Sequence, residues 1–198
     1  MHGDMRELPR NLRRIKGYPE LFRKAFGDPA IDPDRIATAL AFFQRTIVSN
    51  KSRFDQFLEG DRNALTNAEL RGMHLFRTKA GCMNCHNGPL FSDNAFHNNG
   101  FAGNDKGLYA VTHKADDVGK MKTPSLRDVM NTGPWMHDGK MTRMEEILEV
   151  YNTEGTIVGR DALIQSAGLS KAELLDLLAF LKAISAPPIE FKKPVIPG

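Results

Sequence analysis

Three observations predict an all-α fold. Apolar residues recur at helical spacing in several stretches, polar capping signatures stand in front of three of them, and no run alternates convincingly as a strand. The 198 residues suffice for one well-filled core, or for one domain with a substantial extension.

Taken in order, residues 1–30 read as short helices broken at Pro9, at Gly17-Tyr18-Pro19 and at Gly27-Asp28-Pro29. Basic residues (Arg6, Arg10, Arg13, Arg14 and Lys16) outnumber acids there, and a solvated helix face accounts for them better than a docking patch. A longer helix begins after Asp32 with Pro33 in its first turn and runs to about Ser49-Asn50; Ile36, Leu40, Phe43 and Ile47 give it one face expected to be buried. Phe54, Phe57 and Leu58 mark a short amphipathic turn before the polar break at residues 60–63. Thr66-Asn67-Ala68-Glu69 is a capping box that opens a helix carrying Leu70, Met73, His74 and Phe76. Residues 87–122 lack periodicity, and Thr123-Pro124 is expected to start a short helix running to Asn131. Thr142 to Glu145 reads as a second capping box, ahead of the stripe Met144, Ile147, Leu148 and Tyr151. Ser170 to Glu173 is a third, ahead of Leu174, Leu177, Leu178, Leu181 and Ile184. From Ala186 the chain is proline-rich and expected to be extended and partly mobile.

The chemistry concentrates at Gly81-Cys82-Met83-Asn84-Cys85-His86. Two cysteines three positions apart can each add to a haem vinyl group, and the histidine after the second then sits beneath the iron. These are the only two cysteines, so no disulfide is available elsewhere. A thioredoxin-like thiol pair would open a helix after a strand, whereas helical residues precede Cys82. Half of a zinc site would need two further ligands at close spacing, and His74, His97, His113 and His137 stand singly. One covalently bound haem c is the favoured reading, with zinc and a bare thiol pair kept open. A large apolar cofactor also explains the long irregular loop, whose Phe91, Phe96, Phe101, Leu108 and Tyr109 are candidates for its wall. The expected organisation is an N-terminal helical segment (1–62) packing on a cytochrome c-like haem domain (63–186), then the tail (187–198).

Composition adds limits. The net charge of +3 is small and charges of both signs alternate, so nothing demands nucleic acid. No apolar run is long enough to span a membrane. Met1 is followed by a polar, charged stretch, so no export signal is expected, although haem attachment takes place outside the bacterial inner membrane; a mature form or a fragment reconciles the two, with a periplasmic location.

Taken together, Ala39 to Thr46, Gly81 to Phe91, Lys122 to Arg127 and Pro134 to Gly139 resemble the bacterial di-haem cytochrome c peroxidase family, which includes the maturation enzyme of methylamine dehydrogenase. The resemblance runs to about Ser185 and is to the C-terminal haem domain only, since family members carry two Cys-x-x-Cys-His motifs and this sequence has one. It implies an electron-transfer haem serving a peroxide-reacting haem in a domain absent from this chain. Met1 then falls near a family methionine, with the catalytic glutamate just outside.

The resemblance places the sixth iron ligand at Tyr151, methionine in the peroxidases and tyrosine in the maturation enzyme; Met136 is the alternative. A thioether raises the potential and a phenolate lowers it. Arg127 is a candidate partner for a haem propionate. Thr132 and Pro134 match the backbone ligands of a family calcium ion, and His137 a family histidine near the haems. Implied partners are an electron-donor protein or second haem domain and hydrogen peroxide, with room for a homodimer. The alternative function is a free-standing mono-haem peroxidase, sensor or soluble electron carrier, which needs a labile sixth ligand and an acid beside it.

Overall fold

The computed structural model of the chain describes residue 4 and residues 6–153, 160–190, 193–195 and 197. Met1 and part of the 187–198 tail therefore lie outside the described residues. The chain divides into two compact units, one of Met1–Val48 with Ile189–Gly198 and the other of Ser49–Pro188.

The smaller unit holds helices α1 (Leu8–Arg14), α2 (Gly17–Phe26) and α3 (Pro33–Thr46). Pro9 and Pro19 were expected to break helices, yet both lie in first turns, where a missing amide costs no hydrogen bond. Asp32 caps α3 by accepting from the Arg35 amide at 2.9 Å. The core here is Phe22, Ile31 and Ile36. Arg13 ties it together by donating twice to the Ile31 carbonyl, at 3.2 and 2.9 Å. The expected burial of the whole α3 stripe fails, because Leu40, Phe43 and Ile47 are 56%, 47% and 69% exposed. This core draws only on the first turn of α3, and the same helical spacing continues past it.

The larger unit is organised by the crossing of α5 (Asn67–Arg77) and α8 (Lys171–Ala183). Both open on the expected capping boxes, Thr66 with Glu69 and Ser170 with Glu173. Gly72 lets the backbones approach: a Cβ there would stand 1.9 Å from the Asp176 carbonyl oxygen. Either side of this contact, Arg71 holds Asp176 through two bonds at 2.7 and 2.8 Å and Lys79 reaches Glu173 at 2.9 Å. Beneath the crossing, Phe76, Phe91 and Phe180 pack edge-on or tilted with centroids 5.3–6.2 Å apart. Helix α4 (Arg53–Leu58) adds Phe54 to this cluster, and α7 (Met144–Asn152) adds Met144 and Ile147.

Between them the chain is mostly loop. A four-residue helix, α6 (Tyr109–Thr112), and one small sheet interrupt it, in which β1 (Phe96–His97) pairs antiparallel with β2 (Met121–Lys122). Strands of two residues leave no alternation to read. The helix expected from Thr123 does not form. The Thr123 carbonyl accepts from the Ser92 hydroxyl, Ser125 donates to the Leu90 carbonyl, and Asp128 has φ +57°, so only a 3-10 turn at Val129–Asn131 remains. The Thr142 box is also not used, because α7 starts later, with Arg143 at its cap and no side-chain cap bond. The described part is thus mostly helical with one two-stranded sheet, and none of its helices is long and apolar enough to cross a membrane.

Candidate functional site

Helix α5 delivers the chain to the cysteine motif. The Ala80 amide bonds back to the Leu75 carbonyl, Gly81 turns left-handed at φ +65°, and a 3-10 turn covers Cys82–Asn84. The His86 amide then closes on the Cys82 carbonyl at 2.8 Å. This winding turns Cys82 against the core beneath the helix crossing and leaves Cys85 and His86 half-buried.

Neither thiol is activated. Burial pushes Cys82 up to about 12, and burial followed by the charges of Asp93 and Asp161 raises Cys85. A redox-active thiol pair requires the opposite shift. His86 Nδ1 stands 2.9 Å from the Phe91 carbonyl, and because a carbonyl can only accept, Nδ1 carries the proton and Nε2 is the bare nitrogen. Burial lowers the His86 pKa, outweighing the Phe91 and Pro124 carbonyls and Asp93, and keeps the ring in the neutral form that ligates metals. The ring also borders an apolar groove of about 490 Å3 lined by Phe54, Phe57, Met73, Phe76, Phe91 and Arg127, among others.

A third and fourth group gather beside Cys85 that spacing could not reveal. Ligand-type atoms of Cys85, Asp93 and His97 lie within 4.8 Å of one another. Both His97 nitrogens are taken, Nδ1 by Asp161 at 2.7 Å and Nε2 by Asp93 at 2.8 Å. The Asp161 bond and then the Asp93 bond raise its pKa against burial, so the ring is an imidazolium strut with no lone pair for a metal. His74, His113 and His137 are exposed.

Of the two sixth-ligand candidates, Tyr151 is brought to the motif. It packs on the same core cluster as Cys82, and the charges of both cysteines act on its phenol. Its pKa is raised by burial, opposed by a hydrogen bond from Asn99 Nδ2 at 3.3 Å and by the Arg160 charge. Met136 sits with φ +68° in the turn closed by the Trp135–Met141 pairing, and is not among the side chains packed on that cluster.

Arg127 spends its donors inside the protein. Its two Nη atoms hold Asp55 at 3.0 and 2.9 Å, a contact that with its other bonds brings that carboxyl down to about 2, and Nε donates to the Pro89 carbonyl at 2.7 Å. Thr132 and Pro134 flank Gly133 on an exposed turn, and no hydrogen bond to either backbone carbonyl occurs among the described residues. In the expected wall, Phe91 is buried in the core, Phe101 packs edge-on to Tyr151 at 5.9 Å, and Phe96 is exposed.

The residue that sequence reasoning missed is Arg160. Its guanidinium lies 5.8 Å from the Phe101 ring centre and 5.6 Å from that of Tyr151. Its Nε and Nη2 are buried with no hydrogen-bond partner among the described residues. A single arginine in a loop carries no sequence signal of burial. A cysteine pair, an imidazole with Nε2 bare, a phenol beside them and a guanidinium with two buried nitrogens unpartnered among the described residues together fit a thioether-linked tetrapyrrole with acidic side groups.

A family model described as di-haem cytochrome c peroxidase matches residues 1–63. A cytochrome-c peroxidase of Pseudomonas sp. (strain SCT) is 35% identical over 233 residues, spanning 100% of this chain and 62% of its own length. The methylamine utilization protein MauG of Methylophilus methylotrophus is 37% identical over 204 residues, spanning 100% of this chain and 60% of its own. Among solved structures, a diheme peroxidase of Burkholderia thailandensis shares the fold with TM-score 0.72 at 22% identity, covering 93% of this chain and 60% of that one. The chain thus spans about three fifths of the length of the curated relatives it matches. On the strength of these relatives, the chain belongs to the di-haem cytochrome c peroxidase family, whose members are haem-containing oxidoreductases.

Proposed function

We propose that the larger unit is a cytochrome c-like, all-α haem domain that takes one haem c through Cys82 and Cys85 and relays electrons, one at a time, from a donor protein to a second, peroxide-reacting haem. The observation that carries this reading is the convergence of His86, with its Nε2 bare, and Tyr151 on the two cysteines. When bound, the haem supplies one-electron chemistry at an iron whose potential its axial ligands set. His86 would provide one ligand and is kept in the right tautomer by the Phe91 carbonyl. Tyr151 would provide the other, with Met136 as the alternative. The aromatic cluster under the helix crossing excludes water.

The Thr132 and Pro134 carbonyls are the proposed calcium ligands. The second haem lies outside these residues, since the sequence holds one Cys-x-x-Cys-His motif. A periplasmic setting follows from the attachment chemistry, and hydrogen peroxide is the proposed final oxidant. A self-sufficient peroxidase or sensor would need a free acid at the iron. Asp93 and Asp161, whose charges reach Cys85, are spent on His97, which favours the relay.

The test is the optical spectrum, oxidised and reduced, of protein co-expressed with haem-attachment machinery. A c-type spectrum without the weak ferric band of methionine ligation, and altered by Tyr151→Phe, supports the assignment. Appearance of that band in the unmodified protein transfers the ligand to Met136, and absence of haem overturns the reading.

A further inference from the structure

Arg160 is a half-buried cation with two buried nitrogens and no anionic partner among the described residues. Its neighbour Asp161 is turned away, one carboxylate oxygen on His97 and the other accepting from the Leu163 amide at 3.0 Å. Tyr151 and Phe101 meet the guanidinium with ring faces rather than acceptors, so they stabilise its charge but satisfy no N–H. The two orphaned atoms are Nε and Nη2, which lie on one edge of the guanidinium and point the same way. That edge is the fork that matches a carboxylate through two parallel bonds. Two guanidinium N–H groups out of water with no acceptor among the described residues are costly, and the carboxylate of a bound group is a remedy.

We propose that Arg160 is the residue that binds a propionate of the haem, through Nε and Nη2, in place of Arg127, each of whose guanidinium nitrogens already donates to Asp55 or Pro89. The inference rests on the haem reading above but not on the identity of the sixth ligand. Held against Phe101 and Tyr151, Arg160 would neutralise one of the two negative charges of the haem. It also links the haem to the strut, because Asp161, the next residue, is held by His97.

The test uses the haem-loaded protein and reads the propionate bending band by resonance Raman, which stiffens with hydrogen bonding. Arg160→Gln is expected to move one propionate band to lower frequency, and Arg160→Lys to restore it in part, with the c-type absorption retained throughout. A propionate buried without its cation has a raised pKa, so in the Gln variant the band should titrate between about pH 5 and 8, whereas in the unmodified protein it stays constant over that range. A band unchanged by Arg160→Gln, in protein whose spectrum is c-type, overturns the assignment while leaving the haem reading intact. If the Gln variant does not accumulate, titration of both bands of the unmodified protein over the same range overturns it equally. Lack of any c-type spectrum in the unmodified protein overturns the haem reading itself.

Discussion

Gly72→Ala tests whether the α5–α8 crossing organises the larger unit. The added Cβ would stand 1.9 Å from the Asp176 carbonyl oxygen, 2.6 Å from its carbon and 2.9 Å from the Phe180 Cβ. The first two are backbone atoms that no rotamer change can move, so α8 itself must retreat by more than an ångström. Overpacking typically costs about 1–3 kcal/mol, and a backbone clash belongs at the upper end. Replacing a helical glycine by alanine returns about 1 kcal/mol of helix propensity. The net loss is therefore about 2 kcal/mol. For a unit of this size, at roughly 4 °C per kcal/mol, the melting temperature should fall by about 8 °C. The assay is a far-ultraviolet circular dichroism melt of haem-loaded protein, repeated in urea. A melting temperature within about 2 °C of the unmodified protein would refute the close-approach argument.

Two further perturbations separate charge from packing. The His97 strut has a raised histidine pKa, so its contribution is fully present below about pH 6.5 and is lost as pH rises through the raised value. Asp161 and Asp93 are depressed, Asp93 to about 2, so their contribution is present above about pH 4 and lost below it. His97→Gln should therefore flatten the alkaline fall of the melting temperature, and an unchanged slope from about pH 6 to 9 sinks the strut. In the second, Arg53→Met strands the buried Glu69 carboxylate that Arg53 now grips. Removing one partner of a buried pair costs about 3 kcal/mol or more; with Arg53 half in water, about 3 is expected at neutral pH. Burial already pushes the Glu69 pKa up and is outweighed by Arg53 and Thr66. The variant should therefore recover stability as pH falls toward about 4, and denaturant titrations at both pH values would expose a constant loss instead.

The elements legible in the sequence were those whose physics is local. The Thr66 and Ser170 boxes each involve residues three apart, and both formed; the helix expected after Asp32 formed as well. The Ser52–Asp55 box leaves a weaker local signal because its acid is shorter than the usual glutamate. At Thr142 the pattern was present but α7 begins later, since nothing local decides between adjacent starts. The α3 stripe shows that periodicity announces an apolar face without saying what covers it. Within the candidate site, the two cysteines and His86 were readable from spacing alone. Tyr151 as more than a core aromatic came only from the family resemblance. The His97 strut joins residues 64 positions apart, and Arg160 is defined by what it lacks, so neither leaves a local trace.

The placement of Cys82 ties the cysteine motif to the far end of the chain. Its side chain packs against a cluster to which α8 contributes Leu177, Phe180 and Leu181, more than 90 residues later in the chain. The surroundings of Cys82 are therefore completed only when α8 docks, so a substitution at Leu177 or Phe180 acts on the motif as well as on the helix crossing.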